Sequence, residues 1–82
     1  MNEQLADWIA KDKAHCWHPF TAQDNWTDPE HEPMMLVSGE GVWLTDAHGN
    51  RYIDGNSSIW TNIHGHAQPQ LNAAINEQLG KV

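Results

Sequence analysis

An 82-residue chain with four Lys and Arg against eleven Asp and Glu has a formal charge of −7, which repels phosphate backbones and argues against nucleic acid as a partner. Cys16 is its one cysteine, which excludes an internal disulfide, and with the polar start Met1-Asn2-Glu3-Gln4 no signal peptide is expected. No apolar run nears the roughly 20 residues of a membrane helix, so a soluble, cytoplasmic protein is expected, one short enough to need support from a metal or a partner chain.

In chain order, residues 1–14 read as an amphipathic helix. Leu5, Trp8 and Ile9 fall at i, i+3 and i+4 on one stripe, Asn2 is placed to cap, and Glu3 suits the positive end of the helix dipole. Residues 15–33 have little period, three prolines and scattered Trp17, Phe20 and Trp26, and read as an ordered loop pressed against a surface. Residues 34–54 read as a three-stranded antiparallel meander. Its strands are Met35–Val37, Val42–Thr45 and Arg51–Asp54, with a turn or bulge at Gly39-Glu40-Gly41 and a hairpin loop at Asp46–Asn50. Residues 55–68 form a crossing from strand to helix, and residues 69–80 a second helix. Pro69 suits its first turn, Leu71, Ala74, Ile75 and Leu79 share a face, and Gly80 is the expected stop. The fold class is therefore α+β.

The stretch Asp54 to His66 mixes chemistries. Gly55, Asn56, Ser57 and Ser58 do not suit a core strand, and Ile59, Trp60 and Ile63 do not suit a solvated connector. Such a crossing is where a scaffold holds binding residues. Trp60 offers a rigid apolar plate for a ligand, or is simply core. His64 and His66, with His15 and His18, raise a metal site, but Gly65 intervenes and the pairs lie far apart in sequence, so local hydrogen bonding is the reading for His64 and His66. Cys16 beside His15 is not a catalytic dyad, since sequence neighbours seldom meet in reactive geometry. Ser57 and Ser58 lack a nucleophile elbow and read as turn formers. The acids between Asp24 and Glu40 read as a solvated loop, without the regular carboxylate-and-glycine pattern of a calcium site. Gly39-Glu40-Gly41 is not a dinucleotide fingerprint.

Three stretches together carry a resemblance. Trp17-His18-Pro19-Phe20-Thr21, the run Gly39 to Gly55, and Ser57-Ser58-Ile59-Trp60-Thr61-Asn62-Ile63-His64-Gly65-His66 resemble the N-terminal part of the class III, pyridoxal-phosphate-dependent aminotransferases. The first and third stretches look most like the adenosylmethionine-8-amino-7-oxononanoate aminotransferases of biotin synthesis. The likeness extends from about Leu5 onward and implies the N-terminal segment of a fold-type I small domain at the interface of a homodimer. It implies amination of 8-amino-7-oxononanoate to 7,8-diaminononanoate, with pyridoxal phosphate carrying the amino group.

The same resemblance makes Phe20, Ile59 and Trp60 substrate-side residues and assigns no catalytic, cofactor-binding or metal-binding residue to the chain. Some members carry Tyr at the position of Phe20 and a Trp pair at 59–60. Most resemble users of S-adenosylmethionine as amino donor, while a subset with Phe and an aliphatic–Trp pair looks like lysine users. The family's Schiff-base lysine, pyridine-nitrogen acid and phosphate loop are expected beyond residue 82, so this chain is expected to be a fragment inactive by itself. The alternatives are a non-catalytic α+β module that binds a partner or self-associates, and part of a class III aminotransferase for ω-amino acids.

Overall fold

The computed structural model describes residues Asn2–Val82. The chain forms two compact units, residues 1–35 and Leu36–Val82.

The first unit is built on helix α1, Glu3–His15. Asn2 caps it, its Oδ1 accepting the Leu5 N–H at 2.7 Å, and Lys13 and His15 lie in the last turn, where cations meet the negative end of the dipole. Leu5 and Ile9, one turn apart, are buried, while Trp8 stays partly exposed. The helix ends where Cys16 turns extended and donates its N–H to the Asp12 carbonyl.

The stretch expected as loop, residues 15–33, contains one helical turn, α2, Gln23–Trp26. A single turn has too few residues to print a period on the sequence. It is held from outside, because Trp26 Nε1 donates to Asp12 Oδ2 at 2.7 Å and the indole packs between the rings of His18 and His31. Lys13 Nζ ties the following loop down by donating to the carbonyls of Asp28 and His31.

The second unit opens with an antiparallel meander: β1, Leu36–Glu40; β2, Trp43–Asp46; β3, Arg51–Ile53, in the order β1-β2-β3. Gly39 and Glu40, expected in a turn, are strand residues paired with Leu44 and Trp43. The turn is confined to Gly41 and Val42, with Gly41 at φ +59. Gly39 is in the strand because nothing larger fits, since a Cβ there would lie 2.9 Å from the Cβ of His66.

Asp46, expected in the hairpin loop, is the last residue of β2 and is buried. After β3 comes α3, Ser57–Trp60, a turn inside the stretch expected to be irregular, and then α4, Pro69–Leu79. Pro69 stands in the first turn of α4, as expected. Gly80 is the C-cap but with right-handed φ −76, so the stop does not use glycine's left-handed freedom. Leu71, Ile75 and Leu79 on α4 are all exposed. No helix among the described residues is long and apolar enough to cross a membrane.

Candidate functional site

The segment 54–66 is organised by one carboxylate. Asp54 follows β3 directly, and its N–H donates to the Val42 carbonyl at 2.8 Å, so the sheet fixes its backbone. Its Oδ1 accepts the Ser58 N–H at 2.9 Å and its Oδ2 accepts the Ser58 hydroxyl at 2.8 Å. Oδ2 also meets His66 Nε2 at 2.7 Å. An ionised carboxylate only accepts, so Nε2 carries the proton of that bond. The Asp54 side chain is 6% exposed and that of His66 21%. The Ser58 N–H and hydroxyl, with His66 behind them, hold the Asp54 carboxyl below its ordinary value, against the opposing effect of burial.

His66 is anchored through its backbone as well. Its N–H donates to the Gly41 carbonyl at 2.8 Å and its carbonyl accepts the Gly41 N–H at 3.0 Å. Gly65, at φ +89, allows that approach, since a Cβ there would stand 3.1 Å from the Gly41 Cα.

Between Asp54 and His66 the backbone turns left-handed. Ser57, Ser58, Ile59 and Trp60 have φ of 53, 50, 62 and 71, with no glycine among them. The ψ values of 50 and 60 at Ser58 and Ile59 complete left-handed helical geometry. The turn carries Ile59 and Trp60 outward, 57% and 84% exposed, and Ile63 beyond them is 79% exposed.

Phe20, the third expected substrate-side residue, belongs to the first unit. It too has a left-handed backbone, φ 53, and its ring is fully exposed. It lines an open hollow of ≈ 280 Å³ with Thr21, Ala22, Asn25, Trp26 and His31. A bulky residue at positive φ is uncommon and strained. Phe20 in one unit and Ile59 and Trp60 in the other thus share exposure and unfavourable backbone.

The remaining candidates sort clearly. Ser58 forms a turn, as expected, through Asp54. His66 makes a local hydrogen bond, as expected, whereas His64 lines a separate hollow with Gln68, Gln70 and Leu71. Of the histidines considered together as metal ligands, only His18 falls in a group of potential ligands. Among the described residues, the potential ligands within 4.8 Å of one another are Asp12, Cys16 and His18. Asp12 already accepts from His18 Nε2 at 2.8 and 3.0 Å and from the Trp26 indole at 2.7 Å. Burial raises the Asp12 carboxyl, but these donors outweigh it and hold it below its ordinary value.

Sequence reasoning missed all three aspartates that organise the molecule: Asp12, Asp46 and Asp54. The available signal for Asp54 was its place at a strand end, four residues ahead of Ser58.

The family profile described as aminotransferase class-III matches residues 25–82. The adenosylmethionine-8-amino-7-oxononanoate aminotransferase of Geobacter sulfurreducens is 44% identical over 80 residues, covering 98% of this chain and 17% of that protein. Among solved structures, an (S)-enantioselective omega-transaminase from Thermomicrobium roseum superposes with a TM-score of 0.82 at 42% identity, over 94% of this chain and 17% of that one. The adenosylmethionine-8-amino-7-oxononanoate aminotransferase from Methanocaldococcus jannaschii superposes with a TM-score of 0.81 at 35% identity, again over 94% and 17%. The chain thus spans about a sixth of the length of the curated relatives it matches. With most of its length matched by the family profile and its fold shared with solved transaminases, the chain belongs to the class-III aminotransferase family.

Proposed function

We propose that residues 1–82 form the N-terminal segment of a transaminase that aminates 8-amino-7-oxononanoate to 7,8-diaminononanoate in biotin synthesis. The observation that carries this reading is the 44% identity, across nearly the whole chain, to a relative bearing that enzyme's name. In this reading Ile59 and Trp60 form an apolar wall for the carbon chain of the oxo acid, and Phe20 is a further substrate-side residue. Large apolar side chains left mostly exposed in a segment of a longer protein are what a wall looks like before the rest of its site covers it. The amino donor in this reading is S-adenosylmethionine or lysine, and the complete enzyme is a cytoplasmic homodimer.

Class-III aminotransferases depend on pyridoxal phosphate, which supplies an electron sink to the carbon that exchanges its amino group. The residues of this chain do not fit that group by themselves. Its cations are Lys11, Lys13, Arg51 and Lys81. Lys11 is paired with Asp7 at 2.7 Å and Lys81 with Glu77 at 3.2 Å. Lys13 is bound to two carbonyls, and Arg51 lies 4.5 Å over the Trp43 ring. None belongs to the segment 54–66, so that segment itself brings neither a lysine amine for the cofactor aldehyde nor a Lys or Arg for its phosphate. The activity is therefore assigned to a longer polypeptide, of which this chain supplies the substrate wall.

The test is a graft. Residues 1–82 replace the corresponding segment of the Geobacter sulfurreducens relative, and the purified protein is assayed with 8-amino-7-oxononanoate and either S-adenosylmethionine or lysine. Formation of 7,8-diaminononanoate with either donor is the expected result. A folded, cofactor-loaded graft that aminates only ω-amino-acid-derived aldehydes would instead support the second reading, an ω-transaminase, which the Thermomicrobium roseum likeness favours.

A further inference from the structure

We infer that Asp54 and His66 are positioning residues, which hold residues 57–60 in their left-handed turn and so set how Ile59 and Trp60 meet substrate. The inference rests on the substrate-wall reading above and adds to it two residues outside the wall, Asp54 and His66, whose side chains are 6% and 21% exposed.

The argument starts from strain. For an L-residue other than glycine the left-handed helical conformation costs about 1–2 kcal/mol, and here four such residues follow one another. Conformations of this kind persist only where the surroundings over-determine them, and they concentrate at functional sites. The hydrogen bonds inside the turn do not supply that determination. Trp60 N–H to the Asn56 carbonyl and Thr61 N–H to the Ser57 carbonyl are four-residue bonds, which a right-handed turn would make equally well.

The contact that selects the hand comes from outside the turn. Asp54 takes both the N–H and the hydroxyl of Ser58, four residues on, with its two oxygens. A carboxylate capping a right-handed helix reaches only the N–H groups two or three residues on. The far end of the segment returns to the same carboxylate through His66, whose ring Oδ2 holds at 2.7 Å. His66 is in turn fixed to the sheet by paired bonds to Gly41 and by a fit against Gly39 that leaves no room for a Cβ. One carboxylate thus closes both ends of a strained turn, and the two exposed side chains on that turn are the expected substrate wall.

The test uses the grafted enzyme and, independently, the isotopically labelled 82-residue chain. In the graft, Asp54→Ala lowers kcat/KM for the oxo substrate about 10- to 100-fold, the scale of loss from a misplaced binding group. Adding Ser58→Gly restores most of that loss, because glycine takes positive φ without steric cost. Thermal unfolding of each variant, measured beside the kinetics, separates a misplaced wall from a protein that fails to fold, because the first loses kcat/KM while its unfolding transition stays cooperative. Gly39→Ala, which leaves Asp54 intact but displaces His66, shifts kcat/KM in the same direction as Asp54→Ala.

In the labelled chain, backbone couplings report positive φ at residues 57–60. They lose it in Asp54→Ala and regain it at 58 in the double variant. The inference is overturned if the wild-type couplings report negative φ, if Asp54→Ala keeps them positive, or if Ser58→Gly rescues nothing. Should the wild-type graft turn over no oxo substrate, the functional reading falls, and the couplings alone decide the clamp.

Discussion

Asp46 and Asp54 stand at the ends of neighbouring strands and use the same device with opposite consequences. Each carboxylate gathers the donors of the turn that follows it. Asp46 accepts from the N–H groups of His48 and Asn50 at 2.9 and 2.8 Å, from the Asn50 side chain at 3.2 Å and from the Tyr52 hydroxyl at 2.9 Å. Its turn meets the demand for positive φ with a glycine, Gly49 at φ +86. Asp54 organises a turn in which four residues with side chains take that conformation. The first turn is relaxed and joins two strands. The second is strained and carries exposed apolar side chains. The same hydrogen-bonding element therefore closes a hairpin in one place and holds an unfavourable shape in the other.

The largest expected effect separates the two aspartates by what each controls. Asp46→Ala should lower the Tm of the grafted enzyme more than Asp54→Ala does, because it removes four hydrogen bonds from a buried group. Asp54→Ala should in turn cost far more kcat/KM. Thermal unfolding and steady-state kinetics on both variants check this, and equal losses on both scales would dissolve the distinction.

Next come the backbones. Gly49→Ala should destabilise the protein by about 1–2 kcal/mol, since alanine pays the left-handed cost that glycine avoids. Ile59→Gly should have the opposite sign and stabilise by about 0.5–1 kcal/mol, relief of strain outweighing glycine's extra chain entropy. Urea unfolding measures both, and loss of stability in Ile59→Gly would mean that its turn is not strained.

Acid provides a smaller effect common to the two sites. For Asp46, burial raises the carboxyl, but the bonds from Asn50, Tyr52 and His48 prevail and lower it. Asp54 is lowered by Ser58 first. A carboxylate with a depressed folded value stabilises the fold above its ordinary value of 3.8 and loses that contribution as pH falls through the lower folded value. Stability should therefore be insensitive to these groups above that range and decline below it, with each carboxyl followed by carbon NMR. The smallest effect is at Tyr52. Its hydrogen bond to Asp46, with burial and the carboxylate charge, raises the phenol above 10.0. Absorbance titration should find that rise, and Asp46→Ala should return the phenol toward 10.0.

Much of this architecture was legible in the residues. Leu5 and Ile9 at helical spacing mark the buried face of α1, and Asn2 caps it. Alternation and turn residues mark the meander, and Pro69 opens α4. The stretches Trp17 to Thr21 and Ser57 to His66 carry the family likeness. Each of these signals is local, because helix spacing, strand alternation and capping depend on neighbours a few residues apart.

What the sequence left open depends on contacts between distant positions. Gly39 looks like a turn residue until His66, 27 positions later, is seen against it. Gln23–Trp26 has no period of its own and coils because the Trp26 indole finds Asp12. Ser57-Ser58-Ile59-Trp60 contains no residue that favours the left hand, so only the carboxylate of Asp54 and the ring of His66 account for its shape. The sequence by itself determined α1, the meander, α4 and the family likeness. The tertiary structure decided the hand of the turn that presents Ile59 and Trp60, because strain of that size is held only by groups that the fold brings together.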